Sequence, residues 1–506
     1  MEKHEKNRGK WCLPTLVIMQ IALGLPYLGN IPRVFVDEAW DSALGWNIAQ
    51  NGKLAHPFIE GMGGVQHCFI QPRVLLPVVS SFVFKFTDCT IFTSRLPSLG
   101  FSIIAVICLY LLVSRWFGPY QAFWSCFLMI TQAWFFEISR RARPEIHYTA
   151  LALLLLLVID NYYRRSSKLT ALFVGVICGL MVLAHPTGAV LAAAVFISAF
   201  IWMRPKRLVT YFLFTGLGVF IICLPYMIHL FWGVQQPGVI FSEQMQIGLL
   251  RSSIISKELS RYKNFLIFPS LVPAGLIMFF VWTTAWFGSK QEKMFVSIIT
   301  LFVLILPICS VNHYPHYCAA TIPFWSMLIV KFCRELLKEP FVLAGYNKIR
   351  TALVVLIVSM YLLPSLYIIS NMFYSLHKAD FDTVITRISE RIPSGAKVYA
   401  NPIFWYNQGK FDYGPYMISY KTGILLDDLD SWVKQSGFEY AIRPSWHLRP
   451  PFWAEKASQK ALMFTKSSGF DLCCERYFVK IDEFSDPYYG LIEIYKFKPI
   501  RQLERY

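Results

Sequence analysis

The sequence has little charge, and acidic residues are its scarcest charged kind. Charged residues make up 16% of the 506 residues, whereas hydrophobic residues make up 55% and the mean hydropathy is +0.45. Soluble domains carry about 25% charged residues, so the composition excludes an ordinary soluble protein and predicts a polytopic membrane protein. The formal charge of +17 is assigned to basic cytoplasmic loops, and no compact basic domain suggests nucleic-acid binding.

Several short motifs are also missing from the sequence. The 12 cysteines form no Cys-x-x-Cys pair and no Cys/His spacing typical of zinc sites. There is no Asn-x-Ser/Thr sequon, which disfavours a eukaryotic secretory-pathway origin. No small-residue cleavage site follows the first apolar segment, so we expect a retained helix and not a signal peptide.

Long apolar segments predict about eleven transmembrane helices, each requiring about 20 residues. Basic residues before the first segment, 11–31, place the N-terminus in the cytoplasm. The others are predicted at 96–114, 121–138, 146–162, 169–184, 189–202, 209–230, 264–286, 294–309, 318–332 and 351–369. The outer face then carries a first loop at 32–95 with a membrane-edge helix at 74–86, a second loop at 139–145 and a long loop at 231–263.

The pattern changes near residue 374, where alternating polar and apolar stretches replace the apolar segments. Strands are predicted at 397–400, 439–442 and 491–497, and a helix at 426–436. The predicted organisation is therefore a transmembrane domain over 1–373 followed by a small soluble α/β domain over 374–506 on the outer face.

An acidic cluster follows the first apolar segment. It contains Asp37, Glu38 and Asp41. Carboxylates near hydrocarbon are costly and are usually functional. A short amphipathic helix is predicted at 41–50 and is ended by Asn51-Gly52. The competing interpretation is that an acidic residue of this cluster only caps the start of the helix, and Asp41 is the preferred cap.

The second outer loop carries Arg140, Arg141 and Arg143 against the positive-inside rule, which predicts an anionic ligand. Two structural alternatives remain open. Arg140 and Arg141 can extend to lipid headgroups, and Arg143 can pair with Glu145 at a helix start.

These two loops suit glycosyl transfer from a lipid-linked sugar phosphate. An attacking hydroxyl needs a carboxylate base, which typically contributes about 10²- to 10⁴-fold. The phosphate leaving group needs cations or hydrogen-bond donors to hold its developing charge, and the guanidinium group matches phosphate oxygens.

Three motifs resemble the GT-C glycosyltransferases, and the nearest branch holds protein O-mannosyltransferases and lipid A aminoarabinose transferases. They are Asp37-Glu38, Arg143-Pro144-Glu145 and His185-Pro186-Thr187-Gly188. The resemblance covers nearly the whole chain. It implies a GT-C membrane bundle, a polyprenyl-phosphate monosaccharide donor and inversion at the anomeric carbon.

The resemblance also implies roles for particular residues. Asp37 corresponds to the catalytic base, and Glu145 corresponds to an acid that arranges the site. Two departures concern donor phosphate: relatives often have Lys-Gly where this chain has His185-Pro186, and Arg-Tyr where it has His316-Tyr317. A neutral His holds phosphate less strongly than Lys or Arg, so binding is expected to fall more on the arginines, or to depend on pH.

The predicted site therefore has two groups of residues. The catalytic group is Asp37, Glu38 and Glu145, and the donor-phosphate group is Arg140, Arg143, His185, His316 and Tyr317. Taken singly, His185, His313 and His316 favour structural or interfacial roles over ligand contact. A divalent metal remains open: His56 and His67 can join Glu38, although no helical His spacing supports such a site.

The predicted function is transfer of one sugar from a polyprenyl phosphate to a glycan, glycolipid or protein acceptor. The predicted location is the bacterial inner membrane, with the active site on the periplasmic face. A lipid or sugar transporter is the alternative, but transporters place ionisable residues in mid-span and are built from paired halves. A membrane scaffold does not explain acids and arginines together on one face.

Overall fold

The computed structural model describes residues 11–55, 72–203, 208–233, 272–309, 315–338, 344–400, 402–407, 412–415, 437–444 and 474–498. Several predicted features lie outside these ranges: the basic N-terminal residues, His56 and His67, most of the long loop at 231–263, and the helix at 426–436.

The first part of the chain is helical. Its helices are α1 (Cys12–Gly24), α2 (Val36–Asn51), α3 (Leu75–Phe84), α4 (Ile91–Phe117), α5 (Pro119–Ile130), α6 (Ala133–Arg140), α7 (Glu145–Arg165), α8 (Lys168–Ala184), α9 (Pro186–Met203) and α10 (Leu208–Gly233).

The second part adds helices and then strands. They are α11 (Val272–Ala285), α12 (Lys290–Cys309), a 3₁₀ helix (Pro315–Thr321), α13 (Ile322–Lys338), α14 (Ala344–Leu376), α15 (Phe381–Ser389), β1 (Lys397–Ala400), a second 3₁₀ helix (Pro402–Asn407), β2 (Asp412–Pro415), β3 (Tyr440–Pro444), β4 (Phe478–Asp486) and β5 (Gly490–Phe497).

The chain divides into two compact units. Unit 1 comprises Met1–Pro26, Ile70–Val79 and Arg95–Asn371, and unit 2 comprises Tyr27–Phe69, Ser80–Ser94 and Met372–Tyr506. The acidic helix α2 thus belongs to the same unit as the C-terminal residues. The predicted domain limits, 1–373 and 374–506, remain a prediction.

Helices of unit 1 pack at backbone distance where glycines allow it. A Cβ added to Gly175 of α8 would lie 2.0 Å from the Thr215 carbonyl oxygen of α10, and one added to Gly218 would lie 2.3 Å from the Leu172 carbonyl oxygen. Small residues of this kind let membrane helices approach closely.

The helices of the described residues are consistent with a membrane bundle. Five are long and apolar enough to span a bilayer: Ile91–Phe117, Glu145–Arg165, Pro186–Met203, Leu208–Phe231 and Lys348–Ser389. Shorter apolar helices are Cys12–Gly24, Leu75–Phe84 and Lys168–Ala184. The predicted count of eleven spans is therefore not established.

Two predicted spans are not single helices. The segment 121–138 is interrupted because the Gln132 side chain caps α6, accepting hydrogen bonds from the backbone N–H groups of Trp134 at 2.6 Å and Phe135 at 3.1 Å. The segment 318–332 begins in the first 3₁₀ helix and becomes α-helical only at Ile322.

Unit 2 contains a mixed sheet with the strand order β2-β1-β3-β5-β4. Strand β1 is parallel to β2 and β3, whereas β5 is antiparallel to β3 and β4. The predicted strands at 397–400, 439–442 and 491–497 are confirmed within a residue or two. Strands β2 and β4 were not predicted. The sequence of β4 is rich in charge, which hides its alternation, and its pairing with β5 shifts register between Lys480 and Asp482.

Candidate active site

Asp37 and Glu38 of the acidic cluster lie in the first turn of α2 in unit 2, and these two adjacent carboxylates differ in environment. Glu38 is fully buried, and its Oε2 accepts a hydrogen bond from the Phe35 backbone N–H at 2.8 Å. Asp37 is only partly buried. A carboxylate at this position satisfies a free N–H and interacts favourably with the helix dipole. Glu38 therefore stabilises the turn that presents Asp37.

The prediction that Asp41 caps the helix is wrong, because α2 begins earlier than predicted. The helix starts at Val36, with Phe35 as the residue preceding its first turn. Asp41 lies inside the helix and is 1% exposed. The predicted end is confirmed: Gly52 has φ +65°, a left-handed conformation that glycine adopts without strain.

Residues from the C-terminal part of unit 2 pack against α2. Trp405 joins a buried cluster with Ala43 and Phe84. The hydroxyl groups of Ser42 and Tyr406 are hydrogen-bonded at 2.9 Å. Burial, followed by the charge of Glu38, raises the pKa of Tyr406 above its ordinary value. The acidic helix is thus supported by side chains that lie over 350 residues later in the chain.

The predicted Arg143–Glu145 pair lies in unit 1 at the start of α7. The Arg143 Nη2 and Nε donate to the Glu145 carboxylate at 2.9 Å and 3.2 Å. Both side chains are buried, with exposures of 4% and 1%. His147 fixes the turn, since its Nδ1 contacts the Arg143 carbonyl oxygen at 3.0 Å. The structural alternative is thus correct, and it also holds the guanidinium in one orientation.

His185 lies between α8 and α9, close to this pair. The Thr187 backbone N–H donates to its Nδ1 at 3.1 Å, so in the neutral ring Nε2 carries the proton and is a donor. Burial, followed by the positive charges of Arg73 and Arg143, lowers the pKa of His185 well below its ordinary value. His185 is therefore a neutral donor at pH 7.

Two tyrosine rings enclose His185. Tyr148 of α7 stacks on it with 6.3 Å between ring centroids, and Tyr317 of the first 3₁₀ helix lies 5.4 Å away. The fully buried Tyr148 hydroxyl has no hydrogen-bond partner in the described part of the chain. A buried polar group without a partner is costly, so this hydroxyl is suited to a ligand.

Gly188 permits this arrangement. A Cβ at this position would lie 2.4 Å from the Met181 carbonyl oxygen and 3.0 Å from the Tyr148 Cβ. Any larger residue would displace the turn between α8 and α9 from α7. The His-Pro-Thr-Gly motif therefore combines one hydrogen-bond donor with the space that its placement requires.

Sequence reasoning missed Arg73 and Tyr148. The residue after Arg73 is hydrogen-bonded through its backbone N–H to the Leu183 carbonyl oxygen at 2.8 Å, which brings Arg73 next to His185. The available signal for Arg73 was a cation within a predicted outer loop, just before the predicted membrane-edge helix, and cations in an outer loop also identified the second loop.

Arg140 and Arg141 have structural partners within unit 1. The Arg140 guanidinium is fully buried and donates, at 2.5–2.7 Å, to carbonyl oxygens at the end of α1, namely those of Leu23, Gly24 and Pro26. Arg141 pairs with Glu137 at 2.8 Å. This burial contradicts the alternative that Arg140 extends to lipid headgroups. Its predicted phosphate role remains a prediction.

The structure describes the remaining predicted residues, His316 and Tyr317, only in part. The backbone of His316 lies in the first 3₁₀ helix, but its side chain is outside the described part. Tyr317 is buried beside His185. Within the described ranges, no group of three His, Cys, Asp or Glu side chains is placed to hold a metal ion.

Unit 1 therefore contains a cationic cluster, defined here as Arg73, Arg143, Glu145, Tyr148 and His185. His185 is neutral, and the cluster contains two guanidinium groups and one carboxylate. With the hydrogen-bond donors of Tyr148 and His185, such a cluster can bind the oxygens of a phosphate group and stabilise the charge that develops on them.

Comparisons with known proteins agree with this architecture. Residues 73–232 match the sequence profile of the dolichyl-phosphate-mannose-protein mannosyltransferase family. The fold is similar to ArnT from Cupriavidus metallidurans bound to undecaprenyl phosphate, with a TM-score of 0.62, 10% identity, and coverage of 96% of this chain and 97% of that chain.

A second similar structure is the archaeal oligosaccharyltransferase AglB from Archaeoglobus fulgidus, in complex with an inhibitory peptide and a dolichol-phosphate. It has a TM-score of 0.56 and 11% identity, and covers 96% of this chain and 74% of that chain. A comparison with curated proteins gave no match.

These findings define the class of the protein. It is an integral membrane protein with the fold of the GT-C glycosyltransferases. The resemblance to this superfamily, drawn from the three motifs, is confirmed.

Proposed function

We propose that this protein transfers one sugar from a polyprenyl-phosphate donor to an acceptor hydroxyl, with inversion at the anomeric carbon. The observation that carries the proposal is the cationic cluster in a chain of GT-C fold. It combines an oriented guanidinium, a neutral His donor and a buried hydroxyl that has no partner among the described residues. Lipid phosphates in the ArnT and AglB structures support a lipid-linked donor.

In this proposal the cationic cluster holds the donor phosphate. A phosphodiester carries one negative charge, and the phosphate gains more charge as its bond to the sugar breaks. Arg73 and Arg143 offset that charge, and the Tyr148 hydroxyl and the His185 Nε2–H donate hydrogen bonds to phosphate oxygens. Glu145 keeps the Arg143 fork oriented, so little reorganisation is needed during the reaction.

Asp37 is proposed as the general base. The acceptor oxygen attacks the anomeric carbon while its proton passes to the Asp37 carboxylate, and the bond from the sugar to the phosphate oxygen breaks with its electron pair. No general acid is required, because phosphate is already a good leaving group. We assign Glu38, which was predicted to be catalytic, the task of positioning Asp37 through its bond to Phe35.

We further propose that transfer occurs on the periplasmic face of a bacterial inner membrane. A protein, a glycolipid and another envelope glycan are all compatible acceptors. We assign recognition of the acceptor to the first outer loop, the long loop at 231–263 and the C-terminal residues. Most of the first loop and the C-terminal residues belong with the acidic helix in unit 2.

The test is turnover of the full-length protein in nanodiscs with a panel of radiolabelled polyprenyl-phosphate sugars and membrane extract, with and without chelator. Wild type is compared with Asp37→Asn and with Asp88→Asn, a matched control because Asp88 is an exposed acid of the same unit. We expect Asp37→Asn to lower transfer by about 10²- to 10⁴-fold and Asp88→Asn to leave it unchanged.

Two outcomes would contradict the proposal. Full activity of Asp37→Asn would exclude Asp37 as the base. Translocation of a lipid-linked sugar without cleavage of its sugar–phosphate bond would favour the transporter alternative.

A further inference from the structure

Four helices of unit 1 end around a cavity at the other end of α7 from Glu145. Helices α4, α7 and α9 end there and α12 begins there, and the cavity has a volume of about 380 Å³. An α-helix rises 1.5 Å per residue, so the cavity residue Asp160 lies roughly 22 Å along α7 from Glu145. The cavity is therefore at the opposite membrane boundary from the cationic cluster.

A buried carboxylate organises the wall of this cavity. Asp160 is 6% exposed at its side chain and accepts hydrogen bonds from the Arg164 Nε and the Trp116 Nε1, both at 3.1 Å. Arg115 lies 3.6 Å from the same carboxylate. These contacts fix the two guanidinium groups at the cavity.

The positive charge of the cavity exceeds what Asp160 can offset. Arg115 and Arg164 are 45% and 58% exposed at their side chains. Lys290 also lines the cavity, is exposed, and has no acidic partner among the residues that the structure describes. Three cations thus face one carboxylate, which leaves a balance of +2.

Aromatic side chains form the rest of the wall. Trp116, Tyr163 and Trp202 line the cavity. The Trp202 Nε1 donates to the Ser297 Oγ at 2.9 Å, and the Lys293 Nζ lies 5.8 Å from the Trp202 ring centroid. Aromatic residues with amphipathic rings are typical of the headgroup level of a bilayer. Cations and aromatic rings at the ends of four apolar helices match the surroundings of a lipid phosphate.

We propose that this cavity binds the phosphate headgroup of an anionic phospholipid through Arg115, Arg164 and Lys290. Basic cavities between membrane helices recognise anionic headgroups through charge-assisted hydrogen bonds. The bound lipid would tie together the ends of α4, α7, α9 and α12, and would therefore stabilise the bundle. This inference does not depend on the proposed transferase activity.

The experiment measures lipid binding and thermal stability of the full-length protein. Native mass spectrometry and thermal unfolding are carried out with phosphatidylglycerol, with phosphatidylcholine and with inorganic phosphate alone. The double variant Arg115→Gln/Lys290→Gln is compared with Lys168→Gln, which removes an exposed lysine at the start of α8. Arg164 is left unchanged, so the ion pair with Asp160 remains.

We expect phosphatidylglycerol, but not phosphatidylcholine, to bind and to raise the unfolding temperature. The double variant should weaken phosphatidylglycerol binding by about 30-fold, as expected for the loss of two charges near a lipid surface. Arg115→Lys/Lys290→Arg should keep the binding, which separates loss of charge from misfolding.

Three results would overturn the inference: equal binding of both lipids, equal weakening by Lys168→Gln, or an unchanged affinity of the double variant. Full protection by inorganic phosphate would show that the ligand is a free anion and not a lipid.

Discussion

The cationic cluster of unit 1 and the acidic helix of unit 2 hold charge in different ways. Arg143 and Glu145 are buried, mutually hydrogen-bonded and fixed to a long helix. Asp37 is a partly buried residue in the first turn of a 16-residue helix. A buried pair offers a preorganised field for phosphate, whereas an accessible carboxylate can exchange a proton with a substrate. This difference supports the proposal that the cationic cluster binds phosphate and that Asp37 transfers the proton.

The two adjacent carboxylates of α2, Asp37 and Glu38, differ most clearly in burial. Glu38 has its Oε2 bonded to the Phe35 N–H and is fully buried, so accepting a substrate proton would weaken the helix start. Asp37 lacks that burial. We therefore propose different tasks for these two adjacent carboxylates: Glu38 stabilises the helix start, and Asp37 accepts the substrate proton.

The largest effect on stability is expected from breaking the buried pair. Glu145→Gln leaves the Arg143 guanidinium buried without its carboxylate, which typically costs about 3–5 kcal/mol. Thermal unfolding in nanodiscs should show a large loss of stability. Glu335→Gln is the control, because its pair with Lys331 is 47% exposed at the Glu side chain and such pairs contribute about 0–1 kcal/mol. Equal losses would contradict the structural role of the buried pair.

The next largest effect is expected on the donor Kd, without a change in the unfolding temperature. Tyr148→Phe removes a buried hydroxyl that has no partner in the described part of the chain. Loss of a hydrogen bond to a charged phosphate costs about 1.5–3 kcal/mol, so the donor Kd should rise about 10- to 150-fold. The unfolding temperature should not fall.

The control for that variant is Tyr211→Phe, since Tyr211 is a buried tyrosine of α10 packed on Phe196. It should leave the donor Kd unchanged. An unchanged Kd in Tyr148→Phe would remove the Tyr148 hydroxyl from the phosphate site.

A smaller effect is expected where the C-terminal residues support the acidic helix. Tyr406→Phe removes hydrogen bonds to Ser42 and Ser94, and a neutral hydrogen bond contributes about 0.5–1.5 kcal/mol. Thermal unfolding should show a small loss, and Ser42→Ala should add little to it because both variants remove the same bond. Additive losses in the double variant would contradict a shared interaction.

The smallest effect is expected on the pH dependence of donor binding. Because the pKa of His185 is lowered, the ring stays neutral in the folded protein between pH 8 and 6, and the phosphodiester does not titrate there. The donor Kd of wild type and that of His185→Gln should therefore show the same pH dependence over this range. Tightening of wild-type binding towards pH 6 that His185→Gln abolishes would show that His185 binds as a cation.

The free energy of unfolding, unlike donor binding, should depend on pH through His185. A base with a lowered folded-state pKa contributes stability above its unfolded pKa of about 6.5, and this contribution is lost as pH falls below that value. Wild type should lose more stability than His185→Gln between pH 7 and 5.

The sequence predicted most of the elements but few of the contacts that complete the site. Apolar length predicted α4, α7 and α10, and the spacing of Arg143 and Glu145 predicted their pair. The break before α6 escaped detection because one side chain, Gln132, creates it inside an apolar run. Arg73 reaches His185 only through a contact between distant chain segments, and such contacts leave no local periodicity.

The most direct test separates donor binding by the cationic cluster from proton transfer by Asp37. The donor Kd and the single-turnover rate are measured on wild type, Asp37→Asn and Glu38→Gln. For Asp37→Asn we expect an unchanged Kd with a rate lowered by about 10²- to 10⁴-fold. For Glu38→Gln we expect a rate within about tenfold of wild type, because its amide oxygen can still accept from the Phe35 N–H. An Asp37→Asn protein that reacts at the wild-type rate, or that loses donor binding in proportion to its rate, would contradict the division between the two regions.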